Sequence, residues 1–128
     1  MQITFLGTAA ANAYPEAFCR CANCTQARTL GGPSLRARSA ALINHDLLID
    51  LGPDIHTAAM RLGCGLDQVQ FCLQTHAHAD HLDPSHLLSR SPAYGVVDAP
   101  CLQFYSSRDP DPPGRTAGSG YRAAHPVR

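Results

Sequence analysis

The stretch THAHADHLD, at residues 75–83, follows directly after an apolar run, VQFCL, at residues 69–73. The run has the length and the side chains of a buried strand. Beyond a strand, side chains two positions apart can point to the same side, so several imidazoles can reach one cation. Zinc binds imidazole and carboxylate groups readily, and manganese and iron also accept them. The stretch therefore predicts metal ligands in a loop at the carboxyl end of a strand: His76, His78, Asp80 and His81.

The alternative for this loop is a polar segment whose histidines only form hydrogen bonds with their neighbours. For a lone histidine that would be the better interpretation. Four ligand-type side chains within six positions, residues 76–81, favour the metal site instead.

The remaining pattern alternates strands with helices. Apolar runs at residues 39–43 and 46–51 flank the turn-forming pair Asn44-His45 and predict a β-hairpin. A helix is expected to start after Gly52-Pro53 and to end at Gly63. Further strands are predicted at residues 2–6, 69–73, 93–97 and 102–105, and a short helix at residues 85–90 behind the capping residue Asp83. The pattern predicts an α/β fold, with a hairpin-rich mixed sheet and flanking helices.

Composition divides the chain into a domain and a tail. With 128 residues, 45% of them hydrophobic, the chain can form one core. Residues 106–128 contain four prolines, three glycines and no Leu, Ile, Phe or Met, so they cannot bury enough apolar surface to offset the entropy of ordering. We expect one domain at residues 1–105 and a disordered tail at residues 106–128.

Charge and the amino terminus limit the expected partners and compartment. Ten basic and ten acidic residues give a net charge of zero, which argues against a nucleic-acid partner. The sequence shows no signal-like start and no apolar run near 18 residues, so we expect a cytoplasmic protein without a membrane partner. In a reducing compartment, clustered cysteines are expected to bind metal rather than to form disulfides.

Three of the six cysteines form a cluster, Cys19, Cys21 and Cys24, close enough in sequence to share one tetrahedral zinc ion. The cluster predicts a structural zinc site. The sequence offers no evident fourth ligand, which leaves open the alternative of three thiols or a labile disulfide. The isolated Cys64, Cys72 and Cys101 are expected to be small buried residues.

The pattern His76-x-His78-x-Asp80-His81 resembles the signature of the metallo-β-lactamase fold hydrolases. With the C-x-C-x-x-C segment after MQITFLGT, residues 1–105 are most similar to the phosphonate-pathway cyclic phosphodiesterases of that fold. The resemblance implies the N-terminal half of an αββα sandwich. It implies that His76 and His78 bind a first metal ion, that Asp80 and His81 face a second, and that the cysteines hold a structural zinc with a distant histidine.

The resemblance also gives Asp50, at the end of the run DLLIDL, the role of orienting a metal-binding histidine. The alternative role for Asp50 is to cap the helix after Gly52.

The implied chemistry is hydrolysis of a small phosphodiester-type substrate by a metal-bound hydroxide at a dinuclear zinc site, with Asp80 as a proton acceptor or donor. The ligands that the later half of such proteins supplies cannot be placed in this sequence. Two other hypotheses therefore stay open: a non-catalytic zinc-binding fragment, and a protein similar to pyrroloquinoline quinone biosynthesis protein B. A half-sandwich also exposes one sheet face, so we expect a homodimer or a complementing chain.

Overall fold

A computed structural model describes residues 1–106 of the chain. Five strands, three α-helices and two short 3₁₀ helices form within this range. The strands are β1 (Ile3–Gly7), β2 (Ala40–Ile43), β3 (Leu47–Ile49), β4 (Phe71–Gln74) and β5 (Gln103–Ser106). The α-helices are α1 (Ala22–Leu30), α2 (Ile55–Leu62) and α3 (Ser85–Ser89), and the 3₁₀ helices are Gly32–Ser34 and Pro92–Tyr94.

The five strands form one mixed sheet in the order β1-β2-β3-β4-β5. β2 pairs antiparallel with β1 and β3, whereas β4 pairs parallel with β3 and β5. The predicted hairpin between β2 and β3 is confirmed, and its turn residues Asn44 and His45 have φ of 49° and 75°. Because β3 and β4 run in the same direction, the loops that follow them leave the same edge of the sheet.

The core lies between α2 and one face of the sheet. Alternate strand side chains point to this face and are buried there: Leu6, Leu42, Leu48 and Cys72. Helix α2 covers them with the apolar stripe that its sequence predicts, Ile55, Ala58 and Ala59, and ends at Gly63 in a left-handed conformation. This packing holds β3 and β4 in place and with them the loops at their carboxyl ends.

Some sequence expectations are wrong. Residues 93–97 form no strand, because Pro92 starts a 3₁₀ helix and Gly95 ends it with φ of 82°. Helix α1, which begins at Ala22 within the cysteine segment, was not predicted. Cys101 is exposed rather than buried.

The predicted tail begins at Ser106, which is the last residue of β5. The rest of the predicted tail lies outside the described residues, so its expected disorder stays a prediction. Within residues 1–106, every helix is too short or too polar to cross a membrane.

Candidate metal centres

Three side chains of the predicted metal loop meet at the sheet edge beyond β4. One ligand atom from each of His76, Asp80 and His81 lies within 4.8 Å of the others. The rings of His76 and His81 are 4.1 Å apart between centroids, and Nε2 of His81 lies 3.2 Å from Oδ2 of Asp80. All three residues are partly buried. The loop thus brings two imidazoles and one carboxylate to a single point.

His78, the fourth predicted ligand, stands beside this cluster. It is exposed, and its ring lies edge-on to that of His76 with 4.6 Å between centroids. The structure therefore groups His76 with Asp80 and His81, whereas the sequence had paired His76 with His78. The role of His78 as a ligand stays a prediction.

Asp50 supports the loop from the end of β3. Its carboxylate is buried and accepts the backbone N–H of Thr75 at 2.7 Å, and it lies 2.7 Å from Nδ1 of His81. Its backbone has φ of 64°, a left-handed conformation that Asp tolerates better than most residues. The structure thus places Asp50 against a histidine of the cluster, and its role in orienting a metal-bound histidine stays a prediction. Within residues 1–106, the hydrogen bonds of its carboxylate join it to Gln74, Thr75 and His81, and none joins it to α2.

The same network fixes the tautomers of two histidines. The Thr75 hydroxyl lies 2.8 Å and 2.9 Å from the two oxygens of Asp50 and 3.0 Å from Nδ1 of His76. An ionised carboxylate only accepts, so the hydroxyl donates its one proton to Asp50 and accepts Nδ1–H of His76. Nδ1–H of His81 likewise donates to Asp50. In a neutral ring, this arrangement leaves the lone pair on Nε2, the nitrogen that can bind a cation.

With these tautomers, two hydrogen-bond acceptors of the cluster face each other without a donor between them. Nε2 of His81 and Oδ2 of Asp80 are then both acceptors, only 3.2 Å apart. Two facing acceptors repel unless a proton or a cation lies between them. With Nε2 of His76 beside them, the donor set fits a divalent metal ion, which binds deprotonated nitrogen and oxygen ligands.

Two residues that the sequence analysis missed hold the loop in shape. The buried Gln74 side chain donates to the backbone oxygens of His76 and His81 at 2.7 Å and 3.0 Å. A Cβ atom added to Gly52 would lie 2.5 Å from the backbone oxygen of Asp80, so only glycine allows the loop to approach this closely. Gln74 had a detectable signal, because it is a polar residue at a core-facing position of a strand.

The cysteines form a second cluster at the start of α1. One sulfur from each of Cys19, Cys21 and Cys24 lies within 4.8 Å of the others, and all three are free thiols. The Sγ of Cys21 accepts the backbone N–H of Cys24 at 3.5 Å and so acts as the N-cap of the helix. This bond, together with contacts to the Cys19 and Cys24 thiols, holds the pKa of Cys21 below the ordinary value of a thiol. Among residues 1–106, no fourth ligand-type side chain joins this group.

Arg28, in the last turn of α1, ties the preceding segment to the helix. Its guanidinium donates to the backbone oxygens of Cys19 at 2.8 Å and of Glu16 at 2.6 Å. These bonds place the cysteine-bearing segment across the helix N-terminus. The structure thus brings together three of the four predicted loop ligands, His76, Asp80 and His81, and separately the three cysteines, and each group could hold a metal ion.

Comparisons with known proteins place this geometry in a fold. No protein-family profile matches the chain, and no curated protein matches it. Among solved structures, Zn(2+)-bound PqqB from Methylobacterium extorquens superposes with a TM-score of 0.64 at 21% identity, over 84% of this chain and 38% of that chain. A diphosphatase of the PhnP family superposes with a TM-score of 0.61 at 24% identity, over 83% of this chain and 41% of that chain.

These likenesses confirm the predicted fold class. The chain has part of the metallo-β-lactamase fold, with a mixed five-stranded sheet and flanking helices. It spans less than half the length of either solved chain.

Proposed function

We propose that this chain is a metal-dependent hydrolase that cleaves a small phosphodiester. One observation carries the proposal: His76, Asp80 and His81 present three acceptor atoms within 4.8 Å of one another. Asp50 and Thr75 hold both histidines in the tautomer that can bind a cation. Such a set repels itself without a positive charge at its centre.

In this proposal, His76, Asp80 and His81 hold a zinc ion, with manganese or iron as alternatives. The exposed His78 extends the donor set toward a second ion, which would make the site dinuclear. Divalent cations supply Lewis acidity, neutralise charge on phosphoryl oxygens and lower the pKa of a bound water to about 7. The chain's own part is to fix these side chains. The carboxylate of Asp80 accepts or returns a proton at the reacting atoms.

The substrate class rests on weaker support. One solved structure of the same fold is described as a diphosphatase, and the sequence motif resembles phosphodiesterases of this fold. A phosphoryl group also suits the chemistry, because a site built from nitrogen and oxygen ligands around a divalent cation attracts anionic oxygens.

A non-catalytic metal-binding chain is the second candidate. It is favoured by the ligand count, since each cluster within residues 1–106 offers only three ligand atoms. The likeness to Zn(2+)-bound PqqB also keeps open a relationship to pyrroloquinoline quinone biosynthesis.

The test is hydrolysis of bis(4-nitrophenyl) phosphate by the chain loaded with zinc or manganese. We expect turnover that falls more than about 100-fold in His81→Ala, because this variant loses a ligand to the ion that activates water. His56→Ala is the matched control, since His56 is exposed on α2 and outside the cluster. Metal-loaded wild-type chain without turnover would reject the hydrolase and favour the non-catalytic candidate.

A further inference from the structure

A cavity lies between α2, α3 and the segment at residues 96–102. Its volume is about 870 Å³, within the range of roughly 300–1,000 Å³ that is usual for small-molecule sites. No residue of the histidine or cysteine cluster lines it. Its apolar wall consists of side chains of the core or packed against the core, namely Leu48, Leu51, Ile55, Leu66, Val69 and Leu102. The cavity is therefore a separate candidate site with room for an apolar ligand.

Helix α3 adds polar side chains to this apolar wall. His86 and Arg90 both line the cavity, and because they are four positions apart they lie on the same face of the helix. Arg90 is the C-cap residue and keeps a helical backbone, with φ of −78° and ψ of −7°. One short helix thus presents an imidazole and a guanidinium to the same cavity.

The charge of Arg90 has no carboxylate partner in the part of the chain that the structure describes. The side chain is partly buried, and its Nη2 donates to the backbone oxygens of Val69 at 3.1 Å and of Pro100 at 2.7 Å. Within residues 1–106, it forms no ion pair. Burial lowers the pKa of Arg90 below the ordinary value of a guanidinium, because water no longer fully solvates the charge. A bound anion would offset this loss of solvation.

His86 has an unsatisfied ring nitrogen. Its Nε2 is buried and has no hydrogen-bond partner among residues 1–106. Such atoms are uncommon in native proteins, because a buried polar group without a partner lowers stability. The imidazole as a whole is only partly buried, and the χ2 torsion of histidine is broad, so the ring can turn this nitrogen toward a group bound in the cavity.

The charges around the cavity limit the charge of the ligand. One guanidinium balances one negative charge, whereas the exposed Asp67 and Asp98, which also line the cavity, oppose a second one. We propose that the cavity binds a small monocarboxylate with an apolar chain. The carboxylate accepts hydrogen bonds from Arg90 and His86, and the chain packs on the apolar wall. No metal ion takes part, so this proposal and the proposed function can fail separately.

Titration of the full, isotope-labelled chain with sodium octanoate, followed by NMR, tests the proposal. We expect saturable shifts of amide signals around the cavity, including those of Ile55, His86 and Leu102. The neutral 1-octanol should bind at least tenfold more weakly, because it cannot form charge-assisted hydrogen bonds with Arg90. Equal affinity for octanoate and 1-octanol would overturn the proposal. Shifts confined to the metal loop would overturn it too, since the carboxylate would then be bound at the metal centre.

Variants of the two polar side chains give a second readout. Arg90→Gln removes the charge, and His86→Phe keeps a ring without its nitrogens, so octanoate affinity should fall about tenfold in the first and severalfold in the second. Arg61→Gln is the matched control, because Arg61 is exposed on α2 and does not line this cavity. Wild-type affinity in folded Arg90→Gln, or an equal loss in Arg61→Gln, would overturn the proposal. If Arg90→Gln does not fold, the comparison of octanoate with 1-octanol on the unaltered chain still decides.

Discussion

The histidine loop and the cysteine cluster each bring three ligand atoms within 4.8 Å, but they differ in what holds them. The histidine loop is supported by Asp50 and Gln74, each only 4% exposed, which join the ends of two sheet strands. The cysteine cluster is supported by the first turn of a nine-residue helix and by bonds from Arg28 to nearby backbone oxygens. The first site therefore depends on long-range packing, and the second on local structure.

This difference implies that damage to the sheet edge should disturb the histidine loop and leave the cysteine cluster intact. Changes at the start of α1 should do the reverse.

The largest effect is expected from Asp50→Asn. Asparagine tolerates the left-handed backbone but cannot accept from Thr75, Gln74 and His81 together, so at least one buried donor loses its partner. We expect the free energy of unfolding to fall by about 1–3 kcal/mol. Zinc affinity at the histidine loop should fall about 10–100-fold, as measured by competition with a chromophoric chelator.

Asp67→Asn is the control for this change, because Asp67 is exposed and outside both clusters. Wild-type affinity in Asp50→Asn would mean that the buried carboxylate does not orient the ligands.

A smaller effect is expected from Gly52→Ala. The added carbon would lie 2.5 Å from the backbone oxygen of Asp80 and must push the metal loop away from β3. Overpacking of this kind costs about 1–3 kcal/mol. We expect zinc affinity at the histidine loop to fall about tenfold, with cysteine-bound zinc unchanged.

Gly65→Ala is the matched substitution, since its added carbon meets only the flexible carboxylate of the exposed Asp67. If both variants lowered zinc affinity equally, the close approach at Gly52 would have no special part in the site.

The smallest effect is expected in the pH dependence of Cys21 alkylation. Its lowered pKa means that the thiolate forms at lower pH than in a free thiol, whose pKa is about 8.5. In metal-free protein, the pH profile of Cys21 alkylation should therefore lie below that of free cysteine. Mass spectrometry after timed iodoacetamide treatment measures this. A profile at or above that of free cysteine would show that the Cys24 backbone N–H does not stabilise the thiolate.

The sequence predicted those parts of the fold that depend on local signals. Asn44-His45 tolerates the left-handed turn of the hairpin, and Gly63 ends α2 in the same conformation. Helix α1 was not predicted, because it lacks an apolar stripe and buries only Cys24 and Ala27. Its N-cap is also a cysteine, which is an unusual residue at that position.

The sequence THAHADHLD identified the ligand-type side chains of the metal loop, but it did not show which of them lie close together. The turn in which His81 and Leu82 donate to the backbone oxygen of His78 folds His81 back toward His76. The sequence also did not show that Gly52 supports the metal loop, because its contact with Asp80 joins residues far apart in sequence. Such contacts appear only once β3 and β4 are aligned.

The central claim is that His76, Asp80 and His81 bind a metal ion, and metal content tests it most directly. Zinc per chain would be measured by elemental mass spectrometry after dialysis against dilute zinc, in a Cys21→Ala background that disables the cysteine cluster. We predict at least one ion per chain in this background, retained with His56→Ala and lost with His81→Ala. An equal zinc content with and without His81, or no bound zinc in the Cys21→Ala variant alone, would contradict the account.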